Sequence, residues 1–110
     1  MTEDAKPRRP QNVYTLVVEV GRKAGDGLPD KATGAALLCY ASGVDEAEAV
    51  RETVAILKQA DLAPLDVTGH GTRAEREAAG DVIAEDEAAL MQRAADENSV
   101  VVAQLTPFYD

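Results

Sequence analysis

The sequence predicts a two-layer sandwich of the α+β or α/β class, in which two helices lie on one face of a mixed four-stranded sheet. Three observations predict it: apolar runs with the period of a strand, two stretches with apolar residues at helical spacing, and glycine or proline turns that separate them. Their order along the chain is β-β-α-β-α-β. The length of 110 residues fits a single domain. We expect a globular domain at residues 12–110, preceded by a polar, proline-containing arm at residues 1–11 that is expected to be disordered.

The first two predicted strands are apolar on both faces. Residues 13–20 alternate between two largely apolar sides, and residues 35–41 form a short apolar run flanked by glycines. The glycine-rich connection at residues 21–31 predicts a wide hairpin and therefore an antiparallel pair. Its glycine amides, with Arg22, Lys23 and Lys31, could also form a nest for an anion, although the signature of a phosphate-binding loop is absent.

The first helix is delimited by residues that start and stop helices. Asp45 precedes Glu48 by three residues, which is a carboxylate variant of the capping box, so the helix is expected to begin directly after Asp45. Pro64 ends it, because proline cannot continue a helix. Residues 65–70 then alternate between apolar and polar, which predicts a strand with one polar face. The apolar stripe of the helix is predicted at Ala47, Val50, Val54 and Leu57, and it is widened by Thr53, Ile56 and Ala60.

A second helical region follows the third strand. Thr72 and Glu75 match a capping box, and Gly80 interrupts the helical pattern before a longer helical stretch at residues 84–97. Whether these residues form one kinked helix or two stays open. Three acidic residues near the start of the longer stretch are interpreted as surface groups that compensate the helix dipole: Glu85, Asp86 and Glu87.

The last strand is predicted at residues 100–105, with residues 106–110 leaving the sheet. Two strand-helix-strand units with short connections favour parallel pairing by right-handed crossovers. The resulting architecture resembles the ferredoxin-like folds, although the helix expected between the first two strands is absent. The likeness is one of architecture only.

The second face of this sheet would be apolar at alternate positions of most strands. Exposed apolar surface of this kind marks interfaces, so we expect a homodimer that packs sheet to sheet or edge to edge.

Charge and composition exclude several classes of function. The net charge is -9, and residues 32–110 carry fifteen Asp or Glu against five Lys or Arg. Such a field repels nucleic acids and anionic membranes and favours a basic protein as partner. A single cysteine, the lack of a signal-peptide pattern and the lack of a run of about 20 apolar residues indicate a cytoplasmic protein. Known cofactor and metal motifs are absent, so no cofactor is expected.

A candidate site follows if the second and third strands are parallel, because their carboxyl ends then share one rim of the sheet. Helix N-termini at this rim would offer amides to an anionic ligand. The only histidine, His70, is the candidate catalytic acid or base, with Glu75 or Asp66 as its orienting partner. A lone histidine in such a turn can also be structural, and Cys39 is interpreted as a small apolar residue. The candidate ligand-binding residues are Ser42, Gly43, Gly69, Gly71 and Thr72.

Two functions therefore remain. The favoured one is a non-catalytic binding or regulatory module, dimeric and acting through protein-protein contacts. The alternative is a small enzyme or anion-binding protein that uses the rim around His70. Poverty in catalytic residue types favours the first.

Overall fold

A computed structural model describes residues 11–109, so the predicted arm at residues 1–11 lies outside the described residues except for Gln11. The described part is a mixed α+β fold with four strands and three helices, and the second helical region forms two helices on either side of Gly80. The elements are β1 (Asn12–Val20), β2 (Gly34–Gly43), α1 (Glu46–Gln59), β3 (Pro64–Thr72), α2 (Arg73–Ala78), α3 (Glu85–Glu97) and β4 (Val100–Phe108).

The strands form one sheet in the order β3-β1-β2-β4. All three neighbouring pairs are antiparallel, including the predicted hairpin of β1 and β2. The predicted mixed sheet with parallel pairs is therefore wrong, and the ferredoxin-like order is not confirmed. The physical reason is that α1 carries the chain across β1, so β2 and β3 run in the same direction but are separated by β1.

One face of the sheet, here called the α1 face, holds the larger apolar core. Alternate residues of β1, among them Leu16 and Val18, pack with Leu37 of β2 and with α1. The buried residues of α1 are Ala49, Thr53 and Leu57, so Thr53 and Leu57 of the predicted stripe are buried, whereas Ala47 is exposed and Ala49 is buried in its place. Burying these side chains is worth roughly 1.5–3 kcal/mol for each large aliphatic residue.

The opposite face, here called the α3 face, packs against α3. Tyr40 and Val101 of the sheet meet Met91 and Ala94 of α3 in a second, smaller cluster. The prediction that both helices lie on one face is therefore wrong. Because β1 and β2 are apolar on both sides, each side requires its own cover, and this chain supplies it with a different helix on each face.

The connection between β1 and β2 folds around Arg22. Its guanidinium donates hydrogen bonds to the Asp26 carboxylate at 3.0 Å and to the carbonyl oxygen of Pro29 at 2.9 Å, and also to that of Ala32. Leu28 of the same connection is buried in the larger core. Arg22, one of the side chains predicted to help form a nest for an anion, thus forms these hydrogen bonds within its own loop.

Among residues 11–109, no helix has both the length and the apolar character needed to cross a membrane.

Candidate functional site

The carboxyl ends of β2 and β3 lie at the same rim of the sheet, one strand apart. Tyr14 of β1 pairs with Ala41 on one side and with Thr72 on the other. The predicted residues at this rim nevertheless line three different clefts. Ser42 lines one of about 360 Å³, Thr72 one of about 320 Å³ and His70 one of about 210 Å³.

Ser42 is buried and has partners within the chain. Its hydroxyl lies 2.8 Å from the side-chain oxygen of Gln11 and 3.0 Å from that of Asn98. A hydroxyl has one hydrogen, so one of the two amide groups must turn its NH₂ toward Ser42. This arrangement ties the end of β2 to the C-terminus of α3.

Close packing accounts for the glycines at this rim. A Cβ atom on Gly43 would lie 2.9 Å from the Asp45 carbonyl oxygen, so a larger residue would push α1 away. Gly71 has a φ of 87°, which strongly favours glycine. The carboxylate of Glu46 covers Gly69.

The N-termini of α1 and α2 already hold carboxylates of the chain itself. Asp45 accepts a hydrogen bond from the Glu48 amide at 2.8 Å, and the Glu48 carboxylate accepts one from the Val44 amide at 2.9 Å. In α2, Thr72 and Glu75 form the predicted capping box. Because these acceptors bring negative charge to the free amides, this geometry does not favour an anionic ligand there.

His70 is the extra residue of a β-bulge. Thr15 of β1 pairs with Gly71, and the next residue, Leu16, pairs with Gly69, so His70 has no position opposite it. Bulges re-aim side chains and are frequent next to active sites. Here the bulge directs the exposed His70 side chain into a cleft on the α3 face.

The cleft contains a cluster of polar side chains that the sequence did not reveal. We call it the Arg76 cluster; its members are Thr15, Tyr40, Arg76, Asp81 and Glu87. Arg76 contacts Glu87 at 2.6 Å and Asp81 at 3.0 Å, and it donates a hydrogen bond to the Thr15 hydroxyl at 3.1 Å. The Tyr40 hydroxyl donates a hydrogen bond to Glu87. Glu87, interpreted from the sequence as a plain surface acid, therefore joins the sheet to two helices.

The charges of this cluster are fixed by its own contacts. The hydrogen bond to Arg76 lowers the pKa of Glu87, and the same hydrogen bond raises the pKa of Arg76. Burial, followed by the hydrogen bond to Glu87, raises the pKa of Tyr40. These shifts favour an ionised Glu87, a protonated Arg76 and a neutral Tyr40 at neutral pH.

His70 lines the same cleft as Arg76, Asp81 and Glu87. Within residues 11–109 the His70 ring has no hydrogen-bond partner in the protein. The predicted partner Glu75 is engaged in the capping box, and Asp66 lies opposite Glu19 further along β3. The catalytic role of His70 thus stays a prediction.

Two other kinds of chemistry find little support. Cys39 is buried in the larger core, and burial raises the pKa of its thiol to about 11, so it is a poor nucleophile at neutral pH. In the part of the chain that the structure describes, no group of three or more His, Cys, Asp or Glu side chains is placed to hold a metal ion.

The outer edge of β4 is a further candidate surface. β4 extends through Phe108, so the prediction that residues 106–108 leave the sheet is wrong. Within residues 11–109, no strand pairs with its outer edge. Val102 and Leu105 are 45% and 42% exposed and point to the α1 face. In the sequence, the feature that could have indicated this surface is the absence of charged side chains from residues 98–109.

The other edge of the sheet differs from this one. β3 begins with Pro64, contains two register irregularities in its pairing with β1, and carries Asp66. Proline, bulges and charges are the features by which edge strands avoid further pairing. Both edge strands have nine residues, and β4 also contains a proline, Pro107, and one register irregularity in its pairing with β2. The difference is that β4 carries no charged side chain and exposes Val102 and Leu105.

These features define the class of the protein: a small α+β domain with an antiparallel sheet, a polar cluster on one face and an outer strand, β4, that carries no charged side chain. The chain belongs to the family described as Domain of unknown function (DUF8846), whose model matches residues 13–109 and so spans all three helices and nearly the whole sheet. No curated protein and no solved structure matches the chain.

Proposed function

We propose that the protein is a small non-catalytic binding module that acts through protein-protein contacts at the outer edge of β4. The observation that carries this proposal is the open, uncharged edge with exposed Val102 and Leu105. Unpaired backbone amides and carbonyls on such an edge bind an additional strand, and apolar side chains beside them add buried area.

The remaining chemistry of the described residues supports a binding role over a catalytic one. The charged groups of the Arg76 cluster are paired with one another, and the one cysteine is buried. The partners that fit are a second copy of the chain or a basic protein, the latter because the net charge is -9. The same charge disfavours nucleic acids and anionic membranes, and a cytoplasmic location stays part of the proposal.

Photo-crosslinking in the cells that make the protein tests this function. A benzoylphenylalanine at Val102 is expected to form a defined adduct that mass spectrometry identifies, and Leu105→Lys is expected to abolish it. The control places the same group at exposed Glu77 of α2, which lies away from β4 and is expected to give no such adduct. An absent adduct at Val102, or equal labelling from Glu77, would contradict the proposal.

A second candidate function rests on the bulge that directs His70 into the cleft beside the Arg76 cluster. In this alternative the protein is a small enzyme or anion-binding protein. Thermal unfolding with inorganic phosphate and small carboxylates tests it, with His70→Ala as the variant and Thr68→Ala, exposed on the same strand, as the control. The alternative requires an anion that stabilises the wild type and Thr68→Ala but not His70→Ala. Equal responses in all three proteins would rule it out.

A further inference from the structure

We infer that the partner of the β4 edge is a second copy of the chain, whose β4 pairs antiparallel with the first about a twofold axis. This inference rests on the proposed function, because it names the partner of the same edge. The sequence predicted a dimer for another reason, namely that one face of the sheet would expose apolar residues. Apolar positions on both faces of the sheet pack against helices of the chain itself, which leaves the edge as the place for self-association.

Charge decides which part of the surface two identical copies can share. Two chains that each carry a net charge of -9 repel one another, and like charges facing each other across an interface are costly. Residues 98–109 contain no Asp, Glu, Lys, Arg or His. The comparable uncharged run at residues 32–44 contains β2, an interior strand of the sheet. β4 is therefore the edge strand that brings no charged side chain of its own to a contact between two copies, and the nearest acids in the cleft beside Val100 are Glu48 and Glu52 of α1.

The geometry of the edge suits an identical partner. An antiparallel pair of identical strands is self-complementary about a twofold axis, so each copy satisfies the backbone groups of the other. Pro107 has no amide hydrogen, which limits the pairing to residues 100–106. The two four-stranded sheets would then join into one continuous sheet.

The side chains beside this edge add an apolar contact on the α1 face. Val102, Leu105 and Ile56 of α1 are 45%, 42% and 38% exposed. With the strands paired, Val102 and Leu105 of one copy would approach the same residues of the other. A basic protein partner would instead be drawn to the acidic helices, and an uncharged strand offers it no complementary charge.

Sedimentation of the purified full-length chain over the micromolar range tests the inference. The expected result is a mass twice that of the chain for the wild type and the mass of the chain for Leu105→Lys, since the substitution would bring a charged ammonium group into the apolar contact beside the paired strands. The matched control is Leu65→Lys, which places the same substitution at a 72% exposed leucine on the β3 edge and is expected to stay dimeric. A wild-type monomer throughout, or a dimer that survives Leu105→Lys in a folded chain, would overturn it.

If Leu105→Lys does not fold, hydrogen exchange measured on the wild type tests the inference instead. The amides of residues 100–106 are expected to exchange more slowly as concentration rises, while those of β3 stay unchanged. Protection that does not depend on concentration would overturn the dimer. A monomeric chain that still forms a Val102 adduct with another protein would refute the second copy but leave the binding function standing, whereas a monomer without any adduct would refute both.

Discussion

The helices α1 and α2 are held to the sheet by different forces. Among residues 11–109, twelve buried residues form one apolar cluster on the α1 face, whereas the cluster on the α3 face has four. The short helix α2, which follows β3, has no buried residue, and its hydrogen bonds to the sheet and to α3 come from Arg76. The comparison teaches that α1 is attached by exclusion of water, which is not directional, while α2 is attached by a few directional polar contacts.

The largest expected effect is on the apolar face. Leu57→Ala removes a buried side chain of α1 and leaves a cavity, so it should lower the free energy of unfolding by about 2–5 kcal/mol. Ile56→Ala, on the same helix but 38% exposed, should lower it by less than about 1.5 kcal/mol. Urea denaturation measures both, and similar losses for the two variants would contradict the apolar anchoring of α1.

Arg76→Ala should have the next largest effect, because it leaves Glu87 without its cation. Removal of one partner of a fully buried pair costs about 3–5 kcal/mol. Since Arg76 and Glu87 are partly exposed, we expect about 2 kcal/mol here. Hydrogen exchange should rise in α2 and not in α1.

The control for this variant is Arg73→Ala in the same helix. Arg73 pairs with Glu77 at the surface, where such pairs contribute less than about 0.5 kcal/mol. An equal loss of stability in both arginine variants would mean that the Arg76 cluster does not hold α2.

Glu87→Gln should show how much the charged Glu87 carboxylate contributes to stability, because that contribution depends on pH. The pKa of Glu87 is lowered in the folded state, so its contribution is complete above the ordinary pKa of glutamate near 4.3 and is lost as pH falls through the lowered value. The wild type should therefore exceed Glu87→Gln by about 1–2 kcal/mol at pH 7, and the difference should shrink in acid. Urea midpoints of the two proteins from pH 7 to pH 3 measure it. A difference that is constant with pH would argue against the charged pair.

The smallest expected effect concerns Cys39 on the α1 face. Its thiol, with a pKa raised to about 11 by burial, should resist iodoacetamide at pH 8 until denaturant unfolds the chain. Arg76→Ala should leave this resistance unchanged because it loosens the opposite face. Rapid alkylation in Arg76→Ala would show that the two faces are not independent.

Local patterns were sufficient to predict the elements but not their arrangement. Asp45 and Thr72 cap the predicted helices because capping depends on residues three positions apart. Strand order depends on which distant residues pair, and the period of one strand does not contain that information. Part of the arrangement was nevertheless visible in the sequence. Both sides of β1 and β2 are apolar, which indicated that both faces of the sheet are covered, and the second face is covered by α3.

The candidate site was predicted only in part for the same reason. His70 was identifiable as the single histidine between two glycines. The Arg76 cluster was not, because Arg76 is 61 positions from Thr15 and 11 from Glu87 in the sequence. Only the folded sheet brings these residues together, and the bulge that directs His70 toward them arises from pairing between β1 and β3.

The sheet order β3-β1-β2-β4 also sets the order in which the chain can be assembled during synthesis. The two central strands are consecutive in the sequence and are made first, so their hairpin can form before either outer strand exists. β3 is added next on one side, and β4 is made after the other three strands. The edge at which we propose that two chains pair therefore exists only after the rest of the sheet has been made, so the proposed pairing cannot precede the sheet that it extends.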